Sequence, residues 1–448
     1  MKHLPTYLIL LCGMYCYGQK DHTPKSPTAS FPANNIHIGK GNIPKPYTVN
    51  NHYQNQILIN GNKTFNSYEQ DRMRVEQELR EKESLKRDIQ LQLLNTLDLS
   101  LPSKATTQQA KYYKKAFEKL LKTNIDSFSI KDATFTVESA FYDNQRDFEE
   151  FNKTVKRTGA FLREKMKDFN YDPNSNLAKN LILFQFFADT LEIKSKGLKH
   201  LPLRYDFNDY KGKKNWRNMF VSKLLTTGKG QCHSLPLLYL ILADEIKAKA
   251  HLSLSPNHTY IKFQDNKKKW YNVELTNGMF TTDTYILQSG YITSEALQNG
   301  IYMQELTNKQ LLSQSLNDLA MGYISKFGYD NFVKQIIDKA LELHPNNINS
   351  NILLENYLTY QFEYVTRNLL GINPRNKQEL QQIRKFPNVV NLLNKVNLAQ
   401  QRTDNLGYKP MPSKMYQNWL NSLKQHKQQQ EDKELKERFK LNIKTLKN

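Results

Sequence analysis

Apolar positions along the chain fall into distinct regimes. From about 67 to 98 they are sparse. Met73, Leu79, Leu85, Ile89, Leu93 and Leu97 form a thin stripe in a charged helical stretch that Pro102 ends. Such a stripe predicts a packing face or a coiled-coil seam. From 105 to about 200 the apolar positions thicken at helical spacing. Tyr112, Tyr113, Phe117, Leu120 and Leu121 mark one helix over 105–125, and Phe141, Tyr142, Phe148 and Phe151 recur further on. Leu177 to Leu191, with Phe184, Phe186 and Phe187, predicts a core helix. Residues 197–214 read as loop, and a short helix follows over 218–225.

After Cys232 the pattern changes. An apolar helix over 233–247 is followed by β-type runs at 249–254, 258–263 and 270–276. The turns between them are short, so adjacent antiparallel strands are the economical arrangement. A helix packed on such a sheet makes the fold class α+β, with helical N- and C-terminal regions. Thr282 to Gln298 reads as an irregular closing segment. Helical pattern returns at Leu316 and pairs with Phe332 to Leu343, ending in His344-Pro345-Asn346-Asn347. A second, degenerate pair is expected over 349–371. From about 411, Trp419, Leu420 and Leu423 precede a Lys/Gln/Glu-rich run that reads as a solvated, partly frayed helix.

These regimes divide the chain into 1–18, 19–66, 67–127, 128–300, 301–371 and 372–448. The first segment reads as an export signal: Lys2 and His3, an apolar core over 7–14, and Cys16-Tyr17-Gly18 before Gln19 as a cleavage pattern. Export to a periplasmic or extracellular space is the expectation, with no transmembrane segment in the mature chain. Residues 19–66, rich in Pro, Asn, Gly, Lys and Thr, read as a disordered linker.

A length of 448 residues suits two or three domains, and a hydrophobic fraction of 39% is low enough to require linker or solvated helix. The net charge of +21 is spread along the sequence. It predicts a basic surface, with no nucleic-acid motif to direct it. The charged end of 372–448 could anchor on an anionic surface, though its apolar face is thin. Of three cysteines, at 12, 16 and 232, the signal carries two. A lone thiol kept in an oxidising compartment points to chemistry at Cys232.

Cys232 sits in Gly230-Gln231-Cys232-His233-Ser234-Leu235-Pro236. Pro236 lacks a backbone donor and fits the first helical turn, which places Cys232 at or just before a helix N-terminus. Free N–H groups and the macrodipole there favour a thiolate. Downstream, His258 opens a strand and Glu274 lies in the next one. A nucleophile, a base and an orienter thus follow in order. His233 is adjacent to Cys232 and faces elsewhere on the helix. His251 reads as structural. No second Cys and no His-x-x-x-His spacing lies near, so neither a metal nor another cofactor is expected.

Gly230-Gln231-Cys232 at a helix start, His258 on a strand and Glu274 in Trp270-Tyr271-Asn272-Val273-Glu274-Leu275-Thr276-Asn277-Gly278 resemble the transglutaminase-like superfamily of papain-type thiol enzymes. The hairpin after residue 315 is similar to the tetratricopeptide-like helices that follow this core in bacterial members. The resemblance covers about 130–300, and 301–371 more loosely. It implies that Cys232 attacks an amide carbonyl and that His258 moves the proton. It also implies that Glu274 orients the imidazole, with the Cys232 N–H as oxyanion donor and Gln231 shaping the pocket. The family usually has Asp where this chain has Glu274, so Asn272 or Asn277 could orient the histidine instead. Substrates would be proteins or peptides, cell-wall peptides among them, with a protein partner on the C-terminal helices. Non-catalytic binding or scaffold domains also occur on this core.

Overall fold

The computed structural model describes residues 64–95, 97–425 and 427–429. The export signal, most of the expected linker and the end of the basic tail lie outside them. Two compact units are present. The smaller is built on α1 (Thr64–Asn95) and includes residues 384–388. Along α1 the Met73, Leu79, Leu85 and Ile89 side chains are all exposed, so these four positions of the stripe are not packed. Pairs such as Arg80 with Glu76, one turn apart, support the helix locally.

The larger unit spans 99–383 and the chain from 389. The boundaries drawn from sequence at 127/128 and 300/301 both fall inside it. Its helices are α2 (Gln108–Leu121), α3 (Ile130–Phe141), α4 (Phe148–Asp168), α5 (Asn176–Ala188), α6 (Val221–Thr227), α7 (Ser234–Glu245), α8 (Asp283–Leu287) and α9 (Ser294–Gln298). There follow α10 (Asn308–Phe327), α11 (Asn331–Leu343), α12 (Ile348–Tyr364), α13 (Lys377–Leu380), α14 (Pro387–Asn405) and α15 (413–425). Side-chain caps set most starts. Thr107, Ser129, Asp147, Ser175 and Asp330 each accept a backbone N–H at the head of their helix.

The main sheet is an antiparallel meander, β5 (His251–Ser255), β6 (His258–Gln264), β7 (Trp270–Glu274) and β8 (Met279–Thr281). The chain is therefore α+β. Helices α5 and α7 pack against it, and Phe184 of α5 meets Phe280 of β8. Its β5 edge is closed by chain from 303–306, where Met303 and Leu306 donate to the Leu254 and Leu252 carbonyls. Two smaller pairs lie before α7. The hairpin β1 (Leu191–Ile193) and β2 (Leu198–His200) is antiparallel, and β3 (Arg204–Tyr205) runs parallel to β4 (Lys229–Gly230).

The structure departs from the sequence reading at several points. The stretch read as loop over 197–214 carries β2 and β3, and the closing segment over 282–298 holds α8 and α9. Helix α10 starts at 308, eight residues before the first apolar position assigned to it. Thr307 and Gln310 form a capping box there. In place of a second helix pair over 349–371 stands one helix, α12, running into a π-helical turn at Val365–Leu369. Helix α15 is packed rather than solvated, with Tyr416, Leu420 and Leu423 buried. Their spacing places them on one face of the helix.

Candidate active site

The position of Cys232 follows from three residues around it. Gly230 ends β4, where an added Cβ would fall 2.7 Å from the Ser234 Oγ and 3.1 Å from a Leu224 methyl. No side chain fits there without displacing the helix start. Ser234 accepts from the Gln231 N–H at 2.9 Å, folding the chain back into α7. Pro236 is the third residue of α7. A helical carbonyl bonds the N–H four residues on. For Cys232 that residue is Pro236, which has none. The Cys232 carbonyl is taken instead by the Thr259 hydroxyl, which donates to it from β6. The residue next to the expected base is thereby bonded to the backbone of the expected nucleophile.

β5 and β6 form a tight hairpin in which Ser255 pairs with His258, and Asn257 sits in the left-handed region at φ +57°. Asn tolerates that conformation better than most residues, so Pro256-Asn257 suits the turn. His258 is the first residue of β6. Its Nε2 lies 2.6 Å from the Glu274 Oε2, and the other Glu274 oxygen accepts the Thr276 N–H at 2.8 Å. Continuing the β6–β7 register puts Glu274 opposite Tyr260, two residues along from His258. Diagonal neighbours in a sheet stand about 7–8 Å apart, a span the longer Glu can bridge. Asn272 donates to Asp283 and Asn277 to the Met279 sulfur, so neither orients the ring.

Cys232, His258 and Glu274 are all buried, at 2%, 4% and 4% exposure. Burial alone would lower the proton affinity of the His258 ring. The Glu274 carboxylate outweighs it and raises His258 well above an ordinary histidine, with Cys232 adding to the effect. For Glu274, burial pushes up and the charge of His258 prevails, holding the carboxyl below its usual range. The remaining ring nitrogen, Nδ1, is buried and bonds no carbonyl or carboxylate, and the Cys232 side chain raises the ring both as a hydrogen-bond partner and by charge.

Gln231 is fully buried. Its Nε2 donates to the Asp206 and Asp209 carbonyls, both at 3.0 Å. The side chain expected to shape the pocket therefore fastens the 206–209 turn to the start of α7, and its donor is not turned toward an oxyanion. His251 opens β5, half-buried. Burial, the largest influence on it, lowers its proton affinity. His233 belongs to a second assembly. Its Nδ1 meets the Met219 carbonyl and its Nε2 meets Asp318 of α10, both at 2.9 Å. Burial opposes the charged ring, but Asp318 prevails and raises His233 to about 9.

Sequence reasoning missed Thr259, Asp318, Tyr416 and Trp419. The Tyr416 phenol lies 3.7 Å from the Cys232 sulfur, and the Trp419 ring meets the His258 ring edge-on at 4.7 Å between centroids. Two aromatic residues in a basic tail were the available signal. Among the described residues no cluster of His, Cys, Asp and Glu could hold a metal ion, and no helix is long and apolar enough to cross a membrane. Comparisons with protein-family models, with curated proteins and with solved structures find no match for this chain.

Proposed function

We propose that this chain is an exported thiol enzyme of transglutaminase-like type, with a papain-like core, acting on amide bonds of proteins or peptides. The observation that carries the reading is the division of labour on His258. Nε2 is held by Glu274 at 2.6 Å, and the Cys232 side chain is the ring's other hydrogen-bonding partner. A raised histidine next to a thiol at a helix start favours an imidazolium–thiolate pair. The Cys232 sulfur attacks the amide carbonyl, and a tetrahedral oxyanion forms near the start of α7. As it collapses, the carbon–nitrogen bond breaks and His258 gives its proton to the departing amine, leaving a thioester on Cys232. Water or a second amine then attacks that thioester, giving hydrolysis or acyl transfer. Glu274 keeps the ring oriented throughout and stabilises its charged form before the proton is given up.

The test is the pH dependence of Cys232 alkylation, each profile normalised to its own plateau. The expected profile rises well below the free-thiol value of about 8.5 and moves up in His258→Ala. A profile centred on the free-thiol value and indifferent to His258 would refute the enzyme reading. It would favour the second one, a non-catalytic binding or scaffold protein on the same core, which the burial of Cys232 supports. The hairpin of α10 and α11 is the surface such a partner would use.

A further inference from the structure

The thiol and the imidazole are covered by a distant part of the same chain. Residues 402–408 are pinned to the larger unit. Tyr408 bridges to Ile292, and the Thr293 hydroxyl donates to the Gly407 carbonyl at 3.0 Å. Gly407 has φ +86°, and an added Cβ would lie 2.3 Å from the Ala296 nitrogen, so this anchor admits only glycine. Lys409-Pro410-Met411-Pro412 then leads into α15. Asn257, in the turn before His258, donates to the Met411 carbonyl at 3.3 Å. Lys211 donates to the Ser413 hydroxyl. Tyr416 sits over the sulfur and packs against Tyr210, with ring centroids 5.6 Å apart. Trp419 stacks on Tyr416 and covers the imidazole. Leu420 and Leu423 are buried beneath.

We propose that residues 411–423 are an internal stopper of the thiol site. They occupy the groove through which an acyl donor would reach Cys232. This rests on the thiol-enzyme reading and adds a regulation to it. In the closed state the Tyr416 phenol and the Trp419 ring fill the approach to sulfur and imidazole, so no carbonyl carbon can come within bonding range. Opening needs only α15 to lift, because the anchor at Gly407 and Tyr408 lies upstream of the covering residues. The groove so exposed, lined by Tyr210, Asn257 and His258, suits a peptide carrying an aromatic side chain. The segment's closure is a local equilibrium, separable from global unfolding.

The experiment measures the absolute rate of Cys232 alkylation by iodoacetamide in the full chain, read by mass spectrometry on the Cys232 peptide so that Cys12 and Cys16 do not contribute. Rates at pH 8.5 are referred to the same chain in urea. The closed wild type is expected to react roughly 100-fold slower than the unfolded chain, a local-opening penalty of ordinary size. The double variant Tyr416→Ala, Trp419→Ala should recover at least about tenfold, while Gln417→Ala and Asn418→Ala on the exposed face change nothing. Should the double variant not fold, Ser413→Ala removes the hydroxyl that Lys211 donates to and should accelerate the reaction about threefold. A wild type reacting at the unfolded rate, or variants no faster than wild type, would overturn the proposal. Failure of the enzyme reading looks different. An opened thiol that reacts fast, but with a profile centred on the free-thiol pKa and indifferent to His258→Ala, leaves the stopper standing and removes the chemistry beneath it.

Discussion

Two buried histidine–carboxylate pairs flank the start of α7, and they differ in one nitrogen. His258 meets Glu274 at 2.6 Å and His233 meets Asp318 at 2.9 Å. Both rings are raised by their carboxylates against the pull of burial. His233 has spent its second nitrogen on the Met219 carbonyl. It ties α7 to α10 and to the turn before α6, and it has no position left for a reacting proton. His258 has the Cys232 side chain as its other partner. Proton affinity does not separate the two pairs; the ring's other partner does, a fixed carbonyl for His233 and, on the proposed reading, the reacting thiol for His258.

Three changes would break or sharpen that contrast. The largest effect is expected from Glu274→Gln, which leaves the ring without its charge partner. Turnover of an amide substrate should fall by roughly 1,000- to 10,000-fold, as when a triad carboxylate is neutralised. The alkylation profile should shift toward that of a free thiol. A loss of less than about tenfold would show that Glu274 does not orient the base.

His233→Ala should act on stability instead. It removes the ring that the Met219 carbonyl and Asp318 bond, leaving Asp318 the Gln314 amide, at a cost of about 3 kcal/mol in urea unfolding. Because His233 and Cys232 interact by charge, it should move the thiol profile up by less than His258→Ala does. The pH dependence carries the same information. His233 is raised from 6.5 to about 9, so its contribution is fully present below 6.5 and is lost as pH rises through 9. The urea midpoint should fall across that window in wild type and fall less in the variant. An identical pH slope in the two proteins would remove His233 as a source of it.

The smallest effect should come from Thr259→Val. The Cys232 carbonyl is left without its donor, costing about 1–2 kcal/mol. A larger loss of turnover than of stability would show that the hydroxyl aligns the nucleophile; equal losses would make it a fold contact only.

The spacing of apolar residues made β5, β6, β7 and α7 legible, because each has a local period and a local turn. The placement of Cys232, His258 and Glu274 was legible for the same reason, since each sits at or next to the end of such an element. What failed was non-local. α10 begins with Asn308, Lys309 and Gln310, and after Leu311 and Leu312 it buries Ser313, Gln314 and Ser315 against other helices, so its first two turns show no regular apolar spacing in one dimension. β8 has only three residues and rests on its neighbour β7. α15 looks like a weak amphipathic helix because the surface it covers belongs to residues about 200 positions upstream. Asp318 as the partner of His233 was invisible for the same reason.

The missing N–H of Pro236 has a consequence for the order of assembly. Helix α7 can form from local sequence, but it cannot satisfy the Cys232 carbonyl. That bond waits for Thr259, 27 residues later, to arrive on a completed hairpin. A nascent chain that has folded α7 alone therefore carries its thiol on an unset backbone. The backbone of Cys232 is set only when the sheet closes, which makes its thiol a reporter of finished folding.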